Sequence, residues 1–156
     1  MLIECKSRRA YTESFIARGI AAKGRGTATK ALHVLCAEDN PYARVVLNTI
    51  LVELGHRVDF AGTGEAAIAA VERNGYDVVL MDVTLPGLDG LAAARAIRAM
   101  QGGVAHVPII GISGRTDEAD QNAALAAGMN AFLAKPVSPA ILAQAVADFV
   151  RAGEKE

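Results

Sequence analysis

Five segments with the composition of buried strands alternate with helical segments between residues 32 and 152. The strand-like segments are short apolar runs, at residues 32–37, 57–61, 77–81, 107–112 and 131–134. Continuously apolar strands that are separated by helices and short loops are typical of a parallel sheet covered on both faces. The sequence therefore predicts an α/β fold with a doubly wound sheet of five parallel strands.

The helical segments carry their own start and stop signals. Asn40 is a typical N-cap, Pro41 suits the first helical position, and Gly55 follows the last apolar residue of that helix. Further helices are predicted at residues 64–74, 91–100 and 117–127 and from Ser138 onward. We expect one domain over residues 32–152 and a short C-terminal tail over residues 153–156.

The charge distribution sets the first 31 residues apart from this domain. They carry seven Lys or Arg and two Asp or Glu, a net charge of +5, whereas residues 32–156 have a net charge of −6. We expect a basic tail or linker, or a short amphipathic helix built on Tyr11, Phe15, Ile16 and Ile20. A remnant of an upstream domain, a dimerising helix and a basic patch for an acidic partner all agree with this composition.

Several classes of protein are not supported by the sequence. No apolar run approaches the roughly 20 residues of a membrane span, and no signal peptide or DNA-binding motif is recognisable. Cys5 and Cys36 form no disulfide framework, which suits a reducing cytoplasm. We expect a cytoplasmic domain that binds no nucleic acid, contains no output domain and acts through contact with another protein.

Charged and polar residues stand at the ends of the predicted strands. They are Glu38 and Asp39 after the first strand, Asp82 after the third, Ser113 after the fourth and Lys135 after the fifth. The carboxyl ends of parallel strands meet at one edge, where ligands bind. Three neighbouring carboxylates repel one another, and Mg²⁺ relieves that repulsion. A carboxylate beside Mg²⁺ can act as a nucleophile toward phosphorus, while an ammonium and a hydroxyl hold phosphoryl oxygens.

Four motifs, in this order and spacing, resemble those of the response-regulator receiver domains of two-component signalling. They are E-D-N-P at residues 38–41, M-D-V-T-L-P-G-L-D-G at 81–90, I-I-G-I-S-G at 109–114 and A-F-L-A-K-P at 131–136. The resemblance covers residues 32–152, and the residues in and around these motifs are most similar to those of receivers attached to hybrid histidine kinases. It implies a flavodoxin-like sheet with strand order 2-1-3-4-5.

The resemblance also implies roles for individual residues. Asp82 resembles the phosphoacceptor, and Glu38 and Asp39 resemble the acid pair that binds Mg²⁺ together with Asp82 and the backbone carbonyl of Thr84. The implied phosphodonor is a histidine kinase or a histidine phosphotransfer protein, and the implied activity is that of a signalling domain rather than an enzyme.

Four further positions follow from the same motifs. Ser113 resembles the hydroxyl that senses the phosphoryl group, and Lys135 resembles the cation that pairs with it. Phe132 falls at the switch aromatic, whose ring is expected to leave the surface on phosphorylation, and Pro136 is expected to follow a cis peptide bond. The chain departs from the family pattern at Gly114, where alanine is usual, so we expect a looser loop there.

Two other functions compete with this interpretation. The segment G-T-G-E-A-A at residues 62–67 matches a dinucleotide-binding fingerprint, with Asp82 as the acidic residue 20 positions beyond Gly62. That fingerprint belongs to the first strand–helix turn and leaves the other strand-end residues unexplained. A phosphatase with an Asp nucleophile needs an acid two positions later, where this chain has Thr84, which cannot serve as a general acid.

Overall fold

The computed structural model describes residues 9–10 and 30–153. The strands of the domain are β1 (His33–Ala37), β2 (Arg57–Ala61), β3 (Val78–Asp82), β4 (Ile109–Ser113) and β5 (Ala131–Ala134). The helices are α1 (Pro41–Glu53), α2 (Gly64–Arg73), α3 (Gly90–Arg98), α4 (Glu118–Ala126) and α5 (Pro139–Gly153). A 3₁₀ turn, Gly103–His106, precedes β4.

The five strands run parallel in the order β2-β1-β3-β4-β5, which confirms the predicted doubly wound sheet. β1 is an interior strand, because Ala37 lies opposite Ala61 of β2 on one side and Met81 of β3 on the other. Asp82, the last residue of β3, lies opposite Ile112 of β4. This register brings the carboxyl ends of β1, β3 and β4 together at one edge of the sheet.

Two apolar cores lie on the two faces of the sheet. Alternate residues of β1 enter different cores, with Leu35 on the side of α2, α3 and α4 and Val34 on the side of α1 and α5. All five residues of β3 are buried, as expected for a strand that is covered on both faces. Burial of apolar surface on both sides fixes the register and hence the positions of the strand ends.

The sheet has a sixth strand that the sequence did not predict. Arg9–Ala10 pairs in parallel with β5, with Arg9 opposite Ala131 and Ala10 opposite Phe132. A basic tail or linker, or a short helix, was expected over residues 1–31, and Arg9–Ala10 adds a strand beside the five that were predicted. Two residues are too few to produce a periodic apolar pattern, so no sequence signal marked them. The helix expected on Tyr11, Phe15, Ile16 and Ile20 lies outside the described residues.

The observed bounds of the elements place two site residues within strands. β3 ends at Asp82 and β4 ends at Ser113, one residue later in each case than the sequence indicated. α5 continues to Gly153, one residue past the expected end of the domain. In the part of the chain that the structure describes, no helix has both the length and the apolar character needed to cross a bilayer.

Candidate functional site

Three carboxylates converge where β1 and β3 end. One oxygen each from Glu38, Asp39 and Asp82 can be chosen so that the three atoms lie within 4.8 Å of one another. Glu38 and Asp82 are buried, whereas Asp39 is exposed and faces the solvent side of the cluster. Hard oxygen ligands at this spacing, with one side open to water, fit Mg²⁺, which prefers carboxylates and retains several waters.

Lys135 joins this cluster from the end of β5. Its Nζ lies 2.6 Å from Asp82 Oδ2 and 3.0 Å from Glu38 Oε2. Burial alone lowers the pKa of Lys135, but the hydrogen bonds to Asp82 and Glu38 outweigh burial and raise it, so the side chain stays charged. The peptide bond between Lys135 and Pro136 is cis, as the resemblance implied. One ammonium therefore lies against two of three carboxylates.

Glu38 is the most deeply buried of the acids, with only 1% of its surface exposed. The backbone N–H of Asn40 donates a hydrogen bond to Glu38 Oε1 at 3.0 Å. Burial raises the pKa of Glu38 above its usual range despite this bond and the contact with Lys135, and the Asp82 carboxylate raises it further. The excess negative charge at this edge is only partly balanced, which is the electrostatic condition that a divalent cation relieves.

Asp82 is held on both carboxylate oxygens and along its backbone. Thr84 N–H donates to Asp82 Oδ1 at 2.9 Å, and Lys135 donates to Oδ2. Gly90 begins α3 directly against this segment, since its N–H donates to the Val83 carbonyl at 3.0 Å and a Cβ at Gly90 would overlap the Asp82 carbonyl. The orientation of Asp82 thus depends on the tight return of the chain at Gly90.

Ser113 and Phe132 lie in the strands beside the cluster. The Ser113 side chain is buried, and its Oγ accepts a hydrogen bond from Arg115 N–H at 3.0 Å. Phe132 is 8% exposed and belongs to the apolar core on the side of α2, α3 and α4. The ring is therefore already buried in this structure, whereas it was expected at the surface before phosphorylation. A Cβ at Gly114 would meet no atom within 4 Å, so alanine would fit there.

The glycines of the segment at residues 62–67 have a packing role. A Cβ at Gly64 would overlap the Leu88 carbonyl, so the loop after β3 fills the space above this glycine. Glu65 Oε1 accepts a hydrogen bond from Leu88 N–H at 3.1 Å, and Thr63 Oγ1 accepts one from Ala66 N–H at 3.1 Å. The start of α2 is therefore occupied by the chain's own backbone, where a dinucleotide phosphate would have to lie.

Two features of the site were not recognised in the sequence. Arg44, on α1, donates a hydrogen bond to the main-chain carbonyl of Glu38 at 2.6 Å. α1 also presents an outer apolar face, on Tyr42, Val45, Val46 and Val52, all of which are exposed. The second feature had a visible signal, because apolar residues occur on more than one face of this helix. The first had none, since a single arginine on a helix is usually a solvated residue.

Comparison with known proteins agrees with this geometry. The sequence profile of the response regulator receiver domain matches residues 34–147. The chain belongs to the response regulator receiver family. The receiver is 35% identical over 144 residues to the sensor protein GacS of Pseudomonas syringae, covering 90% of this chain and 16% of that protein. It is 38% identical over 120 residues to the gliding motility regulatory protein of Myxococcus xanthus, covering 76% of this chain and 15% of that protein. The chain thus spans about a sixth of these relatives.

Solved structures show the same fold for this receiver. The receiver domain of the sensor histidine kinase PA1611 from Pseudomonas aeruginosa superimposes with a TM-score of 0.73 at 39% identity, covering 78% of this chain and 98% of that one. That crystal structure has a magnesium ion coordinated in its active-site cleft. The chemotaxis protein CheY4 of Vibrio cholerae, at 24% identity and a TM-score of 0.71, covers 76% of this chain and 98% of that one and shares the fold.

Proposed function

We propose that this receiver takes a phosphoryl group onto Asp82 from a phosphohistidine of a histidine kinase or a histidine phosphotransfer protein. The observation that carries the proposal is the convergence of three carboxylates and one ammonium around a buried Asp82. Asp82 is the member of this cluster that ends a strand, contacts Lys135 and is fixed on both oxygens. A phosphoryl group held as a signal, rather than turned over by an enzyme, suits a site with no general acid at Thr84.

In the proposed transfer, a carboxylate oxygen of Asp82 forms a P–O bond as the P–N bond of the donor breaks. The electron pair of the broken bond stays on the imidazole nitrogen, and an acyl phosphate forms on Asp82. Lys135 turns from Asp82 Oδ2 to a phosphoryl oxygen, and the Ser113 hydroxyl donates to another. Glu38, Asp39 and the Thr84 carbonyl would hold Mg²⁺ together with Asp82. When bound, Mg²⁺ supplies positive charge that offsets the repulsion between the acids and the incoming group.

The signal would leave through the face formed by α4, β5 and α5. Ser113 is free to exchange the Arg115 N–H for a phosphoryl oxygen, and the buried Phe132 occupies the neighbouring space in the core. A shift between two packings of these side chains would change the surface that a partner protein contacts. We place this function in the cytoplasm, in a domain spanning residues 32–152, and the buried free thiol of Cys36 suits a reducing compartment.

The donor is proposed to dock on the outer apolar face of α1. Tyr42 is 83% exposed and Val45 is 65% exposed, and both lie in the first turns of the helix that begins just after Asp39 and Asn40. A donor docked on this face would lie beside the acid cluster, because α1 begins directly after Asp39 and Asn40. An apolar face continuous with the acid cluster fits a helical donor surface.

The direct test uses acetyl phosphate, a small donor that needs no docking surface. Wild-type protein should gain one phosphoryl group by intact mass in Mg²⁺ and none in EDTA, and Asp82→Asn should gain none because an amide is a poor nucleophile. Asp89→Asn is the matched control, since Asp89 is exposed, lies in the same loop and caps α3 through a bond that asparagine can replace. Equal labelling of Asp82→Asn and wild type would exclude the proposal.

The docking surface is tested with purified phosphorylated histidine kinases and phosphotransfer proteins. Val45→Lys should slow transfer from the fastest donor by at least tenfold and leave labelling by acetyl phosphate unchanged. Ala126→Lys adds the same charge at an exposed position at the end of α4 and should change neither rate. Equal transfer rates for Val45→Lys and Ala126→Lys would rule out this surface.

A further inference from the structure

Arg44 connects the loop after β1 to the loop after β2. Its guanidinium lies over the ring of Phe60 on β2, with Cζ 5.6 Å from the ring centroid. Gly62, just after β2, leaves space for the same group, because a Cβ there would lie 2.8 Å from Arg44 Nη2. The side chain is thus confined between an aromatic ring and a bare backbone, and its direction is fixed by packing.

This confined side chain hydrogen-bonds the backbone between the two acids. Arg44 Nε donates to the Glu38 carbonyl at 2.6 Å, and that carbonyl belongs to the peptide unit that joins Glu38 to Asp39. The preceding peptide unit is held from β2, since Glu38 N–H donates to the Ala61 carbonyl at 2.9 Å. Both peptide planes at Glu38 are therefore fixed from outside the acid loop, and the plane that Arg44 holds joins the Cα atoms of Glu38 and Asp39, which carry the two carboxylates.

We propose that Arg44 is a positioning residue that orients Glu38 and Asp39 for Mg²⁺ binding. The inference rests on the proposed function, since it concerns the same magnesium site. Hydrogen-bond partners that orient metal ligands commonly change metal affinity by about 10–100-fold when they are removed. The Arg44 charge acts in the opposite direction, because a cation near the acids weakens the binding of another cation. The orienting bond and the charge can be separated by the choice of substitution.

Two substitutions separate the hydrogen bond of the guanidinium from its charge. Arg44→Gln places an N–H donor at the same number of bonds from Cβ as Arg44 Nε but removes the charge. Arg44→Lys keeps the charge but places a methylene at that point. If positioning dominates, Arg44→Lys should weaken Mg²⁺ binding about tenfold, and Arg44→Gln should stay within about threefold of wild type. Gly62→Ala, which pushes Nη2 aside, should weaken Mg²⁺ binding by a smaller factor.

The measurement is isothermal titration of each metal-free protein with Mg²⁺, together with melting curves in EDTA to establish that each variant is folded. Hydrogen exchange at the Asn40 amide, which is bonded to Glu38 Oε1, should accelerate in Arg44→Lys and not in Arg44→Gln. An Arg44→Lys protein with wild-type affinity would overturn the inference, as would equal weakening by Arg44→Lys and Arg44→Gln. An absence of Mg²⁺ binding in the wild type would instead refute the magnesium site itself.

Discussion

Lys135 offers the clearest prediction of stability, because its one ammonium is paired with two buried carboxylates. The exposed fractions of the Glu38 and Asp82 side chains are 2% and 5%, whereas that of Lys135 is 33%. Removing one partner of a buried ion pair costs about 3–5 kcal/mol, since the other charge stays buried without compensation. Lys135 is partly exposed, so water screens its charge and reduces the cost to about 2 kcal/mol. For a domain of this size the melting temperature should fall by about 8 °C.

The assay is thermal unfolding of wild type, Lys135→Met and Lys30→Met, each in EDTA and in Mg²⁺. Lys30→Met is the control, because Lys30 is exposed ahead of β1 and its loss removes the same charge away from the site. A cation that binds only the folded protein at 100 times its Kd adds about 2.7 kcal/mol. Mg²⁺ should stabilise Lys135→Met more than wild type, since it takes over charge that the ammonium had balanced. This reasoning would be refuted if Lys135→Met had the melting temperature of wild type in EDTA, or if Mg²⁺ raised its melting temperature by no more than that of wild type.

Three further outcomes follow from the packing and the charges. Gly90→Ala should destabilise the domain by about 1–3 kcal/mol and slow labelling by acetyl phosphate, because the new Cβ overlaps the Asp82 carbonyl. Gly103→Ala is the control and should do neither, because its Cβ meets no atom within 4 Å. Equal melting temperatures for the two variants would contradict this prediction. Titration with NAD⁺ or NADP⁺ should give no heat, since the Leu88 carbonyl fills the space at Gly64, and saturable binding would revive the dinucleotide interpretation. Hydrogen bonds from Tyr76 and His33 lower the pKa of Asp59, so the stability that Asp59 contributes should be complete above pH of about 4 and lost as the pH falls through its folded pKa. The difference in unfolding free energy between wild type and Asp59→Asn, measured in urea, should therefore shrink on acidification. A difference that grows would contradict the lowered pKa of Asp59.

The sequence predicted the strands, which depend on apolar periodicity, and the edge where the site lies, which depends on the direction of the strands. The apolar runs predicted β2 and β5 with the bounds that the structure has, and parallel strands necessarily bring Glu38, Asp82 and Lys135 to one edge. Contacts between side chains that are distant in the chain could not be predicted. Arg44 of α1 lies over the ring of Phe60 in β2, and no local pattern in the sequence marks that approach.

Two features of the fold were not predicted, the 3₁₀ turn before β4 and the sixth strand. Near the turn, Arg98 on α3 donates hydrogen bonds to the Gly128 carbonyl at 2.9 Å and to the Asn130 side chain at 2.8 Å. The 3₁₀ turn Gly103–His106 lies under that arginine, whose Nη1 donates to the Ala105 carbonyl. Neither this turn nor the strand Arg9–Ala10 has enough residues for a periodic signal, so neither could be recognised in the sequence.

The central claim is that Asp82 itself carries the phosphoryl group, and chemical trapping tests it most directly. Protein labelled with acetyl phosphate in Mg²⁺ is reduced with borohydride, which converts an aspartyl phosphate to homoserine, and the peptides are then sequenced by mass spectrometry. We predict homoserine at position 82, with Asp39 and Asp89 recovered unchanged. Homoserine at any other position with Asp82 intact, or none in a protein that gained a phosphoryl group, would contradict the assignment.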